Sequence, residues 1–196
     1  MQEKPDPTRR MLLYAMAGLT LASVPLAAAA RAKAVVRNNS RTLVAYFSRS
    51  GNTRVIAGVI HRQLTTDLFE IEPAAPYPAD YFQTVEQAKT ERERGIRPAL
   101  KNSVADIDRY QTVYLGFPIW GTSIPPVVQT FLASHHFTDK LLIPFITHGG
   151  YGPGDSEDVL AALAPAARRE KPLVMECDQE RRTAETVNGW LESVRS

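Results

Sequence analysis

Five short β-rich apolar runs alternate with segments of helical periodicity, and this alternation constrains the fold more than any other feature of the chain. The runs are Thr42–Phe47, Leu68–Ile71, Thr112–Phe117, Lys140–Thr147 and Leu173–Cys177. Between them, Val55, Ile56, Val59, Ile60 and Leu64 recur at helical spacing, as do Val127, Val128, Phe131 and Leu132. Asp80 is placed to cap a helix whose inner stripe is Tyr81, Val85 and Ala88, with the charges from Lys89 to Arg94 on its outer turns. Pro125-Pro126 suits a first helical turn, where the missing N–H is harmless. Ser156–Ala164 predicts a short helix, and Ala184, Val187, Trp190, Leu191 and Val194 give the final helix its apolar face. Parallel neighbours need crossover connections, so the pattern predicts an α/β fold with a doubly wound, five-stranded parallel sheet covered on both faces. Right-handed crossovers then place a crevice at the carboxyl ends of the strands.

Composition narrows the function. The 196 residues are 44% hydrophobic and 22% charged, which excludes a disordered or low-complexity chain. With 23 Lys+Arg against 21 Asp+Glu the formal net charge is only +2, too small a basic surplus for a nucleic-acid partner to be expected. The lone cysteine, Cys177, excludes an intramolecular disulfide framework and reads as an inert thiol in an inner strand. His61, His135, His136 and His148 show no metal-ligand spacing, so no metal is expected. His135-His136 read as residues at a helix end, complementing its dipole.

Residues 1–32 have the parts of an export signal. Arg9-Arg10 opens an apolar run from Met11 to Ala30, and Ala30-Arg31-Ala32 offers a small-residue cleavage site. Thr-Arg-Arg-Met-Leu-Leu resembles the twin-arginine leader, which carries folded cargo. The other reading is an uncleaved anchor, since the run is about long enough to span a bilayer; membrane contact is expected through this segment alone. Both readings export the rest of the chain, in a periplasmic location. Residues 33–41 read as a linker and 42–196 as one domain, and residues 33–196 carry equal numbers of acidic and basic side chains.

Three loops follow strands whose carboxyl ends meet at the expected crevice. Ser48-Arg49-Ser50-Gly51-Asn52-Thr53 leads straight into a helix, where hydroxyls and unpaired N–H groups make a phosphate seat; the same residues also suit a simple capped turn. Lacking a lysine for a triphosphate and a second glycine for a pyrophosphate, the loop suits one terminal phosphate. After the third strand, Pro118-Ile119-Trp120-Gly121 sets a tryptophan on a loop, facing either the core or a ligand. After the fourth, Thr147-His148-Gly149-Gly150-Tyr151-Gly152 combines glycines that let backbone approach a ligand with a second aromatic. A phosphate socket beside two backbone-rich aromatic loops fits a flat ring with a monophosphate tail, and flavin mononucleotide (FMN) is the candidate.

At these residues the sequence resembles the flavodoxin family, from about Thr42 to the C-terminus. Ser48, Ser50, Gly51, Asn52 and Thr53 match the family's hydroxyl-rich phosphate loop, with Arg49 where a further Ser or Thr is common. Trp120-Gly121 stands at the aromatic-glycine pair against the flavin ring, and Thr147 to Tyr151 resemble the third loop. The stretches YFSRSGNT, PYPADY, LGFPIWG and PFITHGG look like a bacterial flavodoxin-like subfamily. The resemblance implies strand order 2-1-3-4-5 with FMN at the switch point between the first and third strands, as in flavodoxins. It further implies electron transfer, with Trp120 and Tyr151 stacking on the ring, their electron-rich faces disfavouring an anionic reduced flavin, and no side chain acting as acid, base or nucleophile. The chain lacks the fifth-strand insertion of long flavodoxins, and its neutral domain departs from their acidic surface. The expected partner is a redox protein or small acceptor. Two other readings remain: an FMN-dependent NAD(P)H or quinone oxidoreductase with His148 or Tyr81 near substrate, and a flavin-free binding domain that kept only the fold.

Overall fold

The computed structural model describes residues 40–176 and 180–195. The expected leader, nearly all of the expected linker and Cys177 lie outside them. Along the chain run β1 (Thr42–Tyr46), α1 (Asn52–Leu64), β2 (Asp67–Glu70), α2 (Tyr81–Glu93), β3 (Thr112–Pro118), α3 (Pro126–Ala133), β4 (Leu141–His148) and α4 (Ser156–Leu163). They are followed by β5 (Arg168–Arg169), β6 (Leu173–Glu176) and α5 (Glu180–Arg195). Every ladder is parallel and the sheet order is β2-β1-β3-β4, with β5 and β6 both on the far side of β4. This is the expected doubly wound sheet of order 2-1-3-4-5.

The fifth position differs from a single strand at 173–177. β5 pairs with Leu141 and Leu142, β6 pairs with Phe145 to His148, and the ladder is broken between them. Pro144 on β4 and Pro172 on the fifth strand flank the break, and neither has an N–H to donate. Three residues of the fifth strand, 170–172, stand against two of β4, so the strand bulges and re-enters in register.

Strand alternation divides the core. Leu43, Ala45 and Phe47 pack with Leu115, Phe117, Val127, Phe131 and Leu160 on one face of the sheet, the side of α3 and α4. Val44 and Tyr46 pack with Ile56, Ile60, Tyr114, Phe145, Val187 and Leu191 on the other, the side of α1 and α5. With both faces covered, the central strands are apolar at nearly every position, which is why they read as continuous runs. Among the described residues no helix is long and apolar enough to cross a membrane.

The Asp80 carboxylate caps α2, accepting the Gln83 N–H at 2.9 Å. His135, just past α3, acts differently from a dipole-complementing cation. It is buried, its Nδ1–H donates to the Phe131 carbonyl at 2.8 Å, and its Nε2 accepts the Val104 N–H at 3.1 Å. Burial pushes its pKa below the usual histidine value, so the ring satisfies the helix end as a neutral donor.

Candidate functional site

The first loop is shaped by Gly51, whose φ of 100° lies in the left-handed region and which stands at the N-cap of α1. Its N–H donates to Ser48 Oγ at 3.1 Å, closing a tight turn between β1 and the helix. No side chain caps the first turn of α1, and that turn carries no acidic residue. The N–H groups there and the positive end of the helix dipole are thus left to an anion. The Thr53 hydroxyl bonds the Thr147 hydroxyl, tying the start of α1 to the end of β4. Arg49 reaches across to the start of α2: its Nη2 donates to the Ala79 carbonyl at 3.0 Å and its guanidinium lies 5.6 Å from the centre of the Tyr81 ring.

On the second loop, Ile119 N–H donates to Thr147 O at 2.8 Å, and Trp120 pairs with Ser123 through both backbone groups around Gly121. The indole meets Phe47 edge-on at 5.1 Å and Tyr77 at 4.8 Å. Tyr77 is fixed in turn by donating to Glu91 Oε2 at 2.8 Å, while Gln87 donates to Oε1. Burial, reinforced by the Glu91 carboxylate that accepts its proton, pushes the Tyr77 phenol far above its usual pKa. Trp120 therefore does both things its sequence context allowed: part of the ring packs on the core and part lines a cavity.

On the third loop, the Gly150 N–H donates to His148 Nδ1 at 3.1 Å. Gly154 sets this loop against the second: a Cβ there would stand 1.9 Å from the Thr122 carbonyl oxygen, which the Asp155 N–H also meets at 2.9 Å. Only glycine allows that approach.

These loops surround a cavity of about 370 Å³. Of the residues expected from sequence, Arg49, Ser50, Pro118, Ile119, Trp120, Gly121, Thr147, His148 and Gly149 line it. Ser48, Gly51, Asn52 and Thr53 form the adjoining turn and helix start. Gly150, Tyr151 and Gly152 are not in its wall, and Tyr151 is 90% exposed. Among the described residues no group of three or more His, Cys, Asp or Glu is placed to hold a metal ion.

The remaining wall is one face of α2: Tyr81, Thr84, Val85, Ala88, Lys89 and Arg92, spaced at three and four residues. The sequence raised only Tyr81 as a possible contact. Its expected inner stripe also needs correction. Ala88 is buried, but Tyr81 and Val85 are exposed to the cavity, and the buried companions are Thr84 and Glu91. Nor do the charges all lie outward, since Glu91 is only 6% exposed and Lys89 and Arg92 border the cavity. The physical reason is that this face looks onto a polar-edged cavity rather than onto the sheet.

The fold has relatives. A structure of a candidate flavoprotein from Bacteroides uniformis ATCC 8492 superposes with a TM-score of 0.68 at 32% identity, over 77% of this chain and 97% of that one. A second, from Bacteroides eggerthii DSM 20697, gives 0.67 at 30% identity, over 79% and 98%. A flavoprotein from Lactobacillus acidophilus NCFM, solved in complex with FMN, shares the fold at a TM-score of 0.58 and 20% identity, over 74% and 97%. No curated protein matches the sequence. The family model described as Flavodoxin matches residues 41–194, a span that takes in the sheet and all three strand-end loops, and the chain belongs to the flavodoxin family.

Proposed function

We propose that this chain is an exported FMN protein that carries electrons. The observation that carries the reading is the convergence of three strand-end loops on one cavity beside an uncapped, acid-free helix start. The donor set suits FMN: backbone N–H groups and the hydroxyls of Ser48 and Ser50 for a phosphate, and an aromatic wall for a flat ring. Family membership and the FMN complex of the Lactobacillus acidophilus relative support it.

When bound, FMN supplies the redox chemistry, and the protein supplies orientation and electrostatics. Ser48, Ser50, Gly51, Asn52 and Thr53 hold the phosphate through hydroxyl and amide hydrogens. Trp120, braced edge-on by Phe47 and Tyr77, gives the ring a rigid wall. Tyr81, Val85 and Ala88 enclose the same space from α2 and reduce its contact with water. The flavin-binding unit runs over 42–196, and Tyr151 closes on the ring only through a movement of its loop.

Natively produced protein should be yellow, and protein stripped of flavin should quench FMN fluorescence stoichiometrically on titration. A colourless protein that fails to take up FMN overturns the reading and leaves the fold with a flavin-free binding role. Export rests on residues 1–32: FMN is made in the cytoplasm, and a twin-arginine route carries a domain already folded around it. Fractionation of the native host should place the protein in the periplasm; a cytoplasmic mature protein overturns that part.

A second reading, an FMN-dependent oxidoreductase acting on a small acceptor, draws on one observation. Tyr81 and His148 both line the cavity, where a substrate could meet them. Steady-state oxidation of NAD(P)H by the purified protein, lost on substitution of His148 or Tyr81, would favour it over the carrier.

A further inference from the structure

The cavity wall has a charge bias that the composition hides. Arg49, Lys89 and Arg92 line it, and no aspartate or glutamate does. Among the described residues none of these three cations is paired with a carboxylate, whereas Arg54 in the next turn is paired with Glu70. Residues 33–196 carry equal numbers of acidic and basic side chains, so the excess is local to the site. Arg92, exposed on α2, reaches the second loop. Its Nη1 stands 3.4 Å from the Trp120 carbonyl oxygen and 2.6 Å from the position of a Cβ on Gly121, which puts the guanidinium on the loop that walls the cavity. Arg49 is held across the loop by the Ala79 carbonyl and the Tyr81 face, and Lys89 stands one helical turn before Arg92.

Resting on the FMN reading, we propose that Arg92, with Lys89 and Arg49, makes this cavity hold anionic two-electron-reduced FMN more tightly than oxidised FMN. A flavin that takes up two electrons and one proton gains one negative charge on its ring. Cations in a partly enclosed wall favour that charge, and they oppose uptake of a second proton. The electron-rich aromatic faces expected from the sequence would act in the opposite direction. Tyr151, however, stands outside the cavity wall, and only Trp120 of the two lines it. By linkage, tighter binding of the reduced form raises the reduction potential of the bound couple above that of the same site without the cations.

The test is a pair of titrations of flavin-stripped full-length protein, one with oxidised FMN and one with dithionite-reduced FMN under argon. The wild type should bind the reduced form more tightly, and potentiometry across pH should show one proton taken up per two electrons. Arg92→Gln should shift the ratio of the two dissociation constants about tenfold toward the oxidised form, equivalent to about 30 mV in the two-electron potential. Lys89→Gln should shift it in the same direction, and because Lys89 is exposed and unpaired it carries the test should Arg92→Gln misfold. Glu86→Gln, on α2 but outside the cavity wall, should leave the ratio unchanged. Wild-type ratios in both cation variants, with FMN still bound, overturn the charge proposal and leave the FMN reading standing. A wild type that binds neither form overturns both.

Discussion

Thr53 and Thr147 share a buried hydroxyl–hydroxyl hydrogen bond at 2.9 Å, joining the first turn of α1 to the end of β4 across 94 positions of sequence. It fixes two of the three loops around the cavity relative to each other. Thr53→Val or Thr147→Val strands one buried hydroxyl and should cost about 1–2 kcal/mol in urea unfolding. The double valine variant should recover part of that stability, because no polar group is then left unpaired. FMN affinity should fall in the two variants that lack the Thr53 hydroxyl, since Thr53 also belongs to the phosphate seat. A double variant with wild-type affinity would show that this contact is structural alone.

Gly51→Asp combines three penalties: a side chain at a φ of 100°, a carboxylate at the positive end of α1, and like charge beside a phosphate. FMN titration should show at least a hundredfold loss of affinity. Gly51→Ala keeps only the backbone penalty and should fall between this variant and the wild type.

Gly154→Ala drives a methyl group to within 1.9 Å of the Thr122 oxygen, so one loop must move away from the other. A loss of about 2 kcal/mol or more is expected, together with a changed Trp120 fluorescence spectrum. Trp190, packed on the opposite face of the sheet, should report no change in a variant lacking Trp120.

His135 should make stability fall in acid. Its folded pKa lies below the ordinary value of 6.5, so the unfolded chain binds the proton first as pH drops. The neutral ring's contribution is fully present above about pH 6.5 and declines below it. Comparing urea midpoints at about pH 7.5 and pH 5.5, His135→Gln should lose less on acidification than the wild type. An equal loss in both would assign the acid sensitivity to other groups.

The fold was largely readable because β1, β3 and β4 are covered on both faces and so appear as unbroken apolar runs. Their strand-end loops were readable for a related reason, since Gly51, Trp120 and Gly149 stand where the topology opens a crevice. α2 was not readable. Its cavity-facing stripe mixes Tyr81, Thr84, Val85, Lys89 and Arg92, so an apolar periodicity does not mark it. Glu91 reads as surface charge, yet Tyr77 and Gln87 satisfy it inside the molecule; that pairing is visible only once the chain is folded. Tyr151 shows the converse, an aromatic in a suggestive loop that the fold leaves in solvent.

The interrupted fifth strand also governs how this molecule meets its neighbours. A long, flat sheet margin invites another chain to dock by backbone pairing and grow into fibrils. Among the described residues the margin is two short pieces interrupted at Pro172, with the exposed cationic side chains of Arg168 and Arg169 on it and Lys171 beside it, so intermolecular stacking finds neither continuous amide partners nor a neutral landing strip.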